Sequence, residues 1–139
     1  MSMPVPSPAM LSALPAFLSY FVTGAALLFA FLLIYVVLTP HSEIRLISEG
    51  NVAAAVSLAG AMTGFVLPIA NVIAHSDSLT DLIAWGAVAG VIQLLLYVVV
   101  RMAFPRLSDS IVQGKVAPAL FLAASSFVVG VLNAACMTY

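Results

Sequence analysis

Charge is almost absent from this sequence: four basic and five acidic side chains serve 139 residues, or 6% of the chain. An ordinary soluble domain has about 25% charged and about 45–50% apolar residues, whereas 64% of this chain is apolar. So few charges cannot cover a water-facing surface of this length, and the surplus apolar surface must face lipid. Four basic residues also cannot track a phosphate backbone, which excludes a nucleic-acid partner. The single cysteine, Cys136, excludes an intramolecular disulfide and a cysteine-rich zinc site. No Lys or Arg occurs before residue 17, which argues against a secretory signal with its basic n-region. This Pro- and Ser-rich stretch reads as a short external lead-in, with a run along the membrane interface as the alternative.

What is present is length without charge. A bilayer core of about 30 Å needs about 20 apolar residues at 1.5 Å each. Four stretches free of Asp, Glu, Lys and Arg meet that need: Phe17–Leu38, Val52–Ala74, Leu82–Val100 and Val116–Thr138. The expected fold is therefore all-α, a polytopic membrane domain of four spans. Its second and third spans are joined by a tight turn over His75–Asp81. All four basic residues, Arg45, Arg101, Arg106 and Lys115, fall in or beside the other two loops. The positive-inside bias then puts both of those loops in the cytoplasm and both termini outside, in the periplasm of a bacterial inner membrane. Thr39-Pro40 suits a helix start with Thr as cap. The segment after it alternates Ile44, Leu46 and Ile47 with Glu43, Arg45 and Glu49, as an interfacial helix does.

The chain also repeats itself. At an offset of 64 residues, Ile47, Gly50, Val52, Ala53, Ala55, Leu58 and Ala59 match Ile111, Gly114, Val116, Ala117, Ala119, Leu122 and Ala123 without a gap. A two-helix unit, about residues 17–74 and again about 82–138, would enter the membrane in one direction both times, related by an axis along the membrane normal. Chance likeness between apolar helices is the competing reading.

Lipid should exclude polar side chains, so those within the spans are informative. Gln93 lies mid-span and needs a partner; Thr63, equally far from the turn at Ser78, is expected to bond it, with a pore-lining or ligand-binding Gln93 as the sharper alternative. Asn71 and Asn133 lie in the outer thirds of their spans, about 20 residues beyond Gly50 and Gly114. They either cap neighbouring helix ends or, with the carbonyl that Pro68 frees, line a small outer cavity. Gly60 and Gly64, Gly86 and Gly90, and Ser126 and Gly130 form small-xxx-small faces suited to close helix approach within the chain, or between copies in a homodimer. A metal site from His75, Cys136 and Asp77 lacks recognised spacing, so neither metal nor cofactor is expected. His41 and Glu43, two apart on a surface helix, would not share a face. Both loops are expected to ion-pair instead, through Glu43, Glu49, Arg45, Arg106 and Lys115. Phosphate loops, nucleophile elbows and zincin patterns are absent, and no enzymatic role is expected.

The run Tyr35…Thr39-Pro40-His41…Glu43…Gly50-Asn51…Ala53-Ala54-Ala55, followed by Gly64-Phe65…Pro68-Ile69-Ala70 and the ending Gly130…Asn133-Ala134-Ala135-Cys136-Met137, resembles the domain-of-unknown-function 350 family. These are YjfL-type (UPF0719) uncharacterised inner-membrane proteins, and the likeness covers essentially the whole chain. It implies a small multi-pass protein with no established activity, found near envelope-stress genes of the phage-shock type, and so a membrane-maintenance role. It carries over no functional residues. Two readings follow. The first is a homo-oligomeric structural or interaction component, dimer or higher, embedded in membrane lipid and recruiting a cytoplasmic protein partner through its charged loops. The alternative is a small channel or transporter for an ion or solute, passing Gln93, Asn71 and Asn133. The lack of an ionisable residue inside the spans counts against proton coupling.

Overall fold

Side chains of Ser7, Asn51 and Ser78 cap the starts of three of the four long helices. The computed structural model describes residues 3–76 and 78–137. The first helix, α1 (Pro8–Leu38), starts with Pro8 in its first turn, and Ser7 accepts a bond from the Met10 N–H at 3.2 Å. Proline there loses no helical bond and brings a helical φ. The lead-in expected before residue 17 is therefore helix from Pro8 onward. A short α2 (Glu43–Ser48) follows, then α3 (Val52–His75) and α4 (Leu79–Ala103). A second short helix, α5 (Leu107–Val112), precedes α6 (Val116–Cys136). Four of these helices are long and apolar enough to cross a membrane. The outermost expected span residue, Thr138, lies outside the described residues, as does Asp77 of the expected turn.

Both short helices end in the same way. Gly50 and Gly114 have φ of +88° and +80°, the left-handed conformation that glycine adopts without strain. Their N–H groups bond Ile47 and Ile111 at 3.0 and 2.9 Å. The next residues, Asn51 and Lys115, bond back to Leu46 and Ser110 at 2.9 Å each. This is the two-bond glycine cap of a helix C-terminus. Asn51 adds a link of its own. Its Oδ1 accepts from the Ala54 N–H at 3.0 Å, capping α3, while its Nδ2 donates to the Ile111 carbonyl at 2.8 Å, capping α5.

The tightest contact in the molecule joins α3 to α6. A Cβ on Gly60 would overlap the Ala123 backbone, one on Gly64 the Ser126 backbone, and one on Gly130 the Gly64 backbone. Residue numbers rise together along the two helices, so they run parallel. Gly86 and Gly90 do not join this seam. Instead Gly90 meets the rings of Phe65 and Phe31, and Gly86 meets Leu27 and Ile69. Pro68 leaves the Gly64 carbonyl without its usual helical donor, and Gly130 is the residue that lies against that oxygen.

Helix α1 is held mainly by aromatics. Phe31 stacks on Phe65 with centroids 4.5 Å apart, and Tyr35 meets Tyr97 edge-on at 5.4 Å. Only Phe31 and Tyr35 of its 31 residues are buried. Leu27 faces Gly86. Leu27 is 19 residues on from Pro8, but Gly86 is only seven on from Leu79. Helix α1 thus overhangs α4 by a dozen residues, about 18 Å at 1.5 Å per residue.

A buried carboxylate and imidazole at the basic end of the bundle

The residue before a proline is pushed to extended backbone, and Thr39 (φ −76°, ψ 134°) ends α1 there. Thr39 therefore closes a helix instead of opening one: its hydroxyl donates to the Val36 carbonyl at 3.1 Å. The chain turns through Pro40–Ser42, and Glu43 becomes the first residue of α2. This turn changes the expected relation of His41 and Glu43. His41 is not on the helix at all, so the spacing of helical faces does not separate the two. Its Nε2 lies 3.3 Å from Glu43 Oε1, and the side chains are 3% and 0% exposed.

The expected ion pairs between the loops do not form around Glu43. Arg45 pairs with Glu49 inside its own loop at 3.5 Å, largely in solvent. An exposed pair of this kind contributes about 0–1 kcal/mol. Among the described residues, Arg106 and Lys115 have no acidic partner. The loops are instead joined through His41, whose Nδ1 lies 2.8 Å from Ser108 Oγ on α5. A cavity of about 430 Å³ opens beside this link, lined by His41, Ser42, Arg45, Arg101, Ser108 and Asp109 among others.

Glu43 is unusual by any electrostatic standard. Its side chain is fully buried and neither oxygen accepts a hydrogen bond. Burying an ionised carboxylate without partners is strongly unfavourable. The offset of 64 residues pairs Glu43 with Leu107, which is also buried.

The intramembrane amides bond neighbouring helices only in part, since Gln93 Oε1 and Asn133 Nδ2 are buried without partners. Gln93 Nε2 donates to the Ser126 carbonyl at 3.0 Å, not to Thr63. Thr63 and Gln93 share a depth but not a direction; the exposed Thr63 hydroxyl bonds its own helix at Ala59, at 2.7 Å. Gly64, next along, is what admits Gln93: a Cβ there would meet its Nε2. Asn71 Nδ2 donates to the carbonyls of Ala134 and Met137 at 3.0 and 3.1 Å, capping α6. Asn133 is buried nearby with its Nδ2 unpaired, and Pro68 is buried in α3. His75 Nδ1 lies 2.9 Å from the Asn71 carbonyl of its own helix, and Cys136 is exposed.

A four-helix apolar bundle with two short helices at its basic end is the architecture of a multi-pass membrane protein. The chain matches the family described as Domain of Unknown Function (DUF350) over residues 9–137. It belongs to that family. It is 40% identical over 129 residues to the UPF0719 inner membrane protein YjfL of Escherichia coli K12, covering 93% of this chain and 98% of that protein. The same figures hold for the YjfL protein of Escherichia coli O157:H7. No solved structure matches the chain.

Proposed function

We propose that the protein is a homo-oligomeric structural component of the bacterial inner membrane, with α2 and α5 in the cytoplasm and no catalytic role. The relatives named as inner membrane proteins support the location, and the four basic residues at one end support the orientation. The observation that carries the assembly is the overhang of α1. A helix of 31 residues is about 46 Å long. Fitting it into a hydrocarbon core of about 30 Å would take a tilt of about 50°, beyond the range seen for membrane helices. Its uncharged outer end, with Met10, Leu11 and Leu14 exposed, therefore needs cover other than acyl chains. A second copy offers the same apolar surface in return. The loops, with Arg106 and Lys115 unpaired, then remain open for cytoplasmic protein partners.

Removal of residues 3–16 tests this reading by light scattering in detergent. The full chain runs as a dimer or larger, and the shortened chain as a folded monomer. An unchanged mass would sink assembly through α1. Reporter tags that place both ends in the cytoplasm would overturn the orientation alone.

The reading extends to a duplication of the unit α1–α2–α3 in α4–α5–α6. It is supported by the matched glycine caps 64 residues apart and by two equal six-residue helices. The parallel α3–α6 pair, in near-equal register, fits an axis along the membrane normal.

One observation favours a transport path as a second reading. The buried polar atoms without partners, among the described residues, are on His41, Glu43, Tyr97, Gln93 and Asn133. They run from the basic end past the middle of the bundle. Buried polar atoms are normally satisfied by protein or water. Ion or solute flux in liposomes that Gln93→Ala abolishes would favour this path over the structural role.

A further inference from the structure

We propose that His41 and Glu43 together form a proton-binding site that loads from the cavity at the basic end of the bundle. The site goes beyond the assembly reading and supplies the ionisable group that the transport reading lacked.

The geometry separates this pair from a structural ion pair. A buried salt bridge that serves stability satisfies its remaining oxygens with further hydrogen bonds. Glu43 satisfies neither. Apolar residues in place of a buried ion pair are often as stable or more so, and Leu107 is that apolar solution at the matching place of the second short helix. On the duplication proposed above, packing at position 43 does not call for a carboxylate. What the carboxylate adds is a place for a proton.

Access is one-sided. His41 lines the cavity, while Glu43 sits behind it and does not. The imidazole thus stands between water and the carboxylate, with a nitrogen facing each neighbour: Nδ1 to Ser108, Nε2 to Glu43. His41 Nε2 and Glu43 Oε1 are close without being hydrogen-bonded, so a small turn of the ring has to align them. Imidazole can then accept a proton at one nitrogen and release one at the other, carrying it from the cavity to Glu43. The groups around the pair come from several elements. Helix α1 supplies the Tyr35 ring, and α4 supplies Tyr97 and, at the cavity, Arg101. Arg45 of α2 and Asp109 of α5 stand at the cavity rim. Helix α3, packed against both short helices, offers no titratable residue between Val52 and Leu58. On α4, Tyr97 and Gln93 lie one turn apart and carry further unpaired polar atoms, so polarity continues inward from the pair.

The test is proton uptake by the purified full chain in detergent, without buffer, between about pH 8 and pH 5, where imidazole chemistry falls. The site holds its proton on the pair, so wild type should take up about one proton more per chain than the double variant His41→Gln/Glu43→Gln, which removes both groups. Glu43→Gln alone leaves the imidazole in place and is not the deciding variant. Should the double variant fail to fold, His41→Asn/Glu43→Leu replaces it. Equal uptake by wild type and the folded double variant would overturn the site. The titration does not depend on dimerisation, so a monomeric chain that still shows the extra proton would sink only the assembly reading.

Discussion

The α3–α6 seam and the α1 flank are both uncharged and strongly apolar, yet the first is packed backbone to backbone and the second is mostly bare. The difference lies in side-chain size. Gly60, Gly64, Ser126 and Gly130 let two helices touch, whereas α1 presents Phe, Leu and Val to its surroundings. In lipid, burying a leucine gains little over leaving it among acyl chains, so close approach and polar links decide which helices pair. Hydropathy finds helices in such a protein, and small residues then sort them.

The sharpest way to break this comparison is to give the seam a side chain. Gly64→Ala places a methyl against the Ser126 backbone and the Gln93 amide. It should cost about 3 kcal/mol or more, at the upper end of overpacking effects, read as a lower melting temperature in detergent. Asn51→Ala comes next. It removes the cap of α3 together with the bonds to the end of α5, and should cost about 1–2 kcal/mol by the same measurement. Lys115→Ala, at the matching position, makes no such cap and should change little. Gln93→Leu should lose about 0.6–1 kcal/mol, the measured scale of hydrogen bonds within membranes; a much larger loss would mean that the amide holds more than the Ser126 carbonyl. The smallest effect should come from Gly90→Ala on the flank, where a new Cβ finds Phe65 and Phe31 at 3.5 and 3.8 Å. Ordinary contact plus better helix propensity predicts no loss and a gain of up to about 0.5 kcal/mol.

The four spans, the basic end and the two loop glycines were legible because they depend on composition and on local backbone chemistry. The partners of each helix were not. Counting residues from the turn fixes depth, and Thr63 and Gln93 do share a depth. Neighbouring helix positions differ by about 100° in direction, however, and that single step exchanges Thr63 for Gly64 at the seam. The small-residue pairs alone did not tell which faces meet: Gly60 and Gly64 face α6, while Gly86 and Gly90 meet side chains of α1 and α3. Glu43 escaped for a different reason. Its alternation with apolar neighbours is what a surface helix shows, and only the turn at Pro40 folds its carboxylate under the bundle. Asn51 illustrates the same limit, because half of its role is at a helix end 60 residues away.

The parallel seam also sets an order for making the protein. Gly60 and Gly64 leave the ribosome more than 60 residues before Ala123 and Ser126, the residues that cover them. During that interval the newly inserted α3 holds an open groove toward its neighbours in the bilayer. Until α6 is inserted, no helix of the same chain fills that groove, so the seam is the last part of the bundle to close.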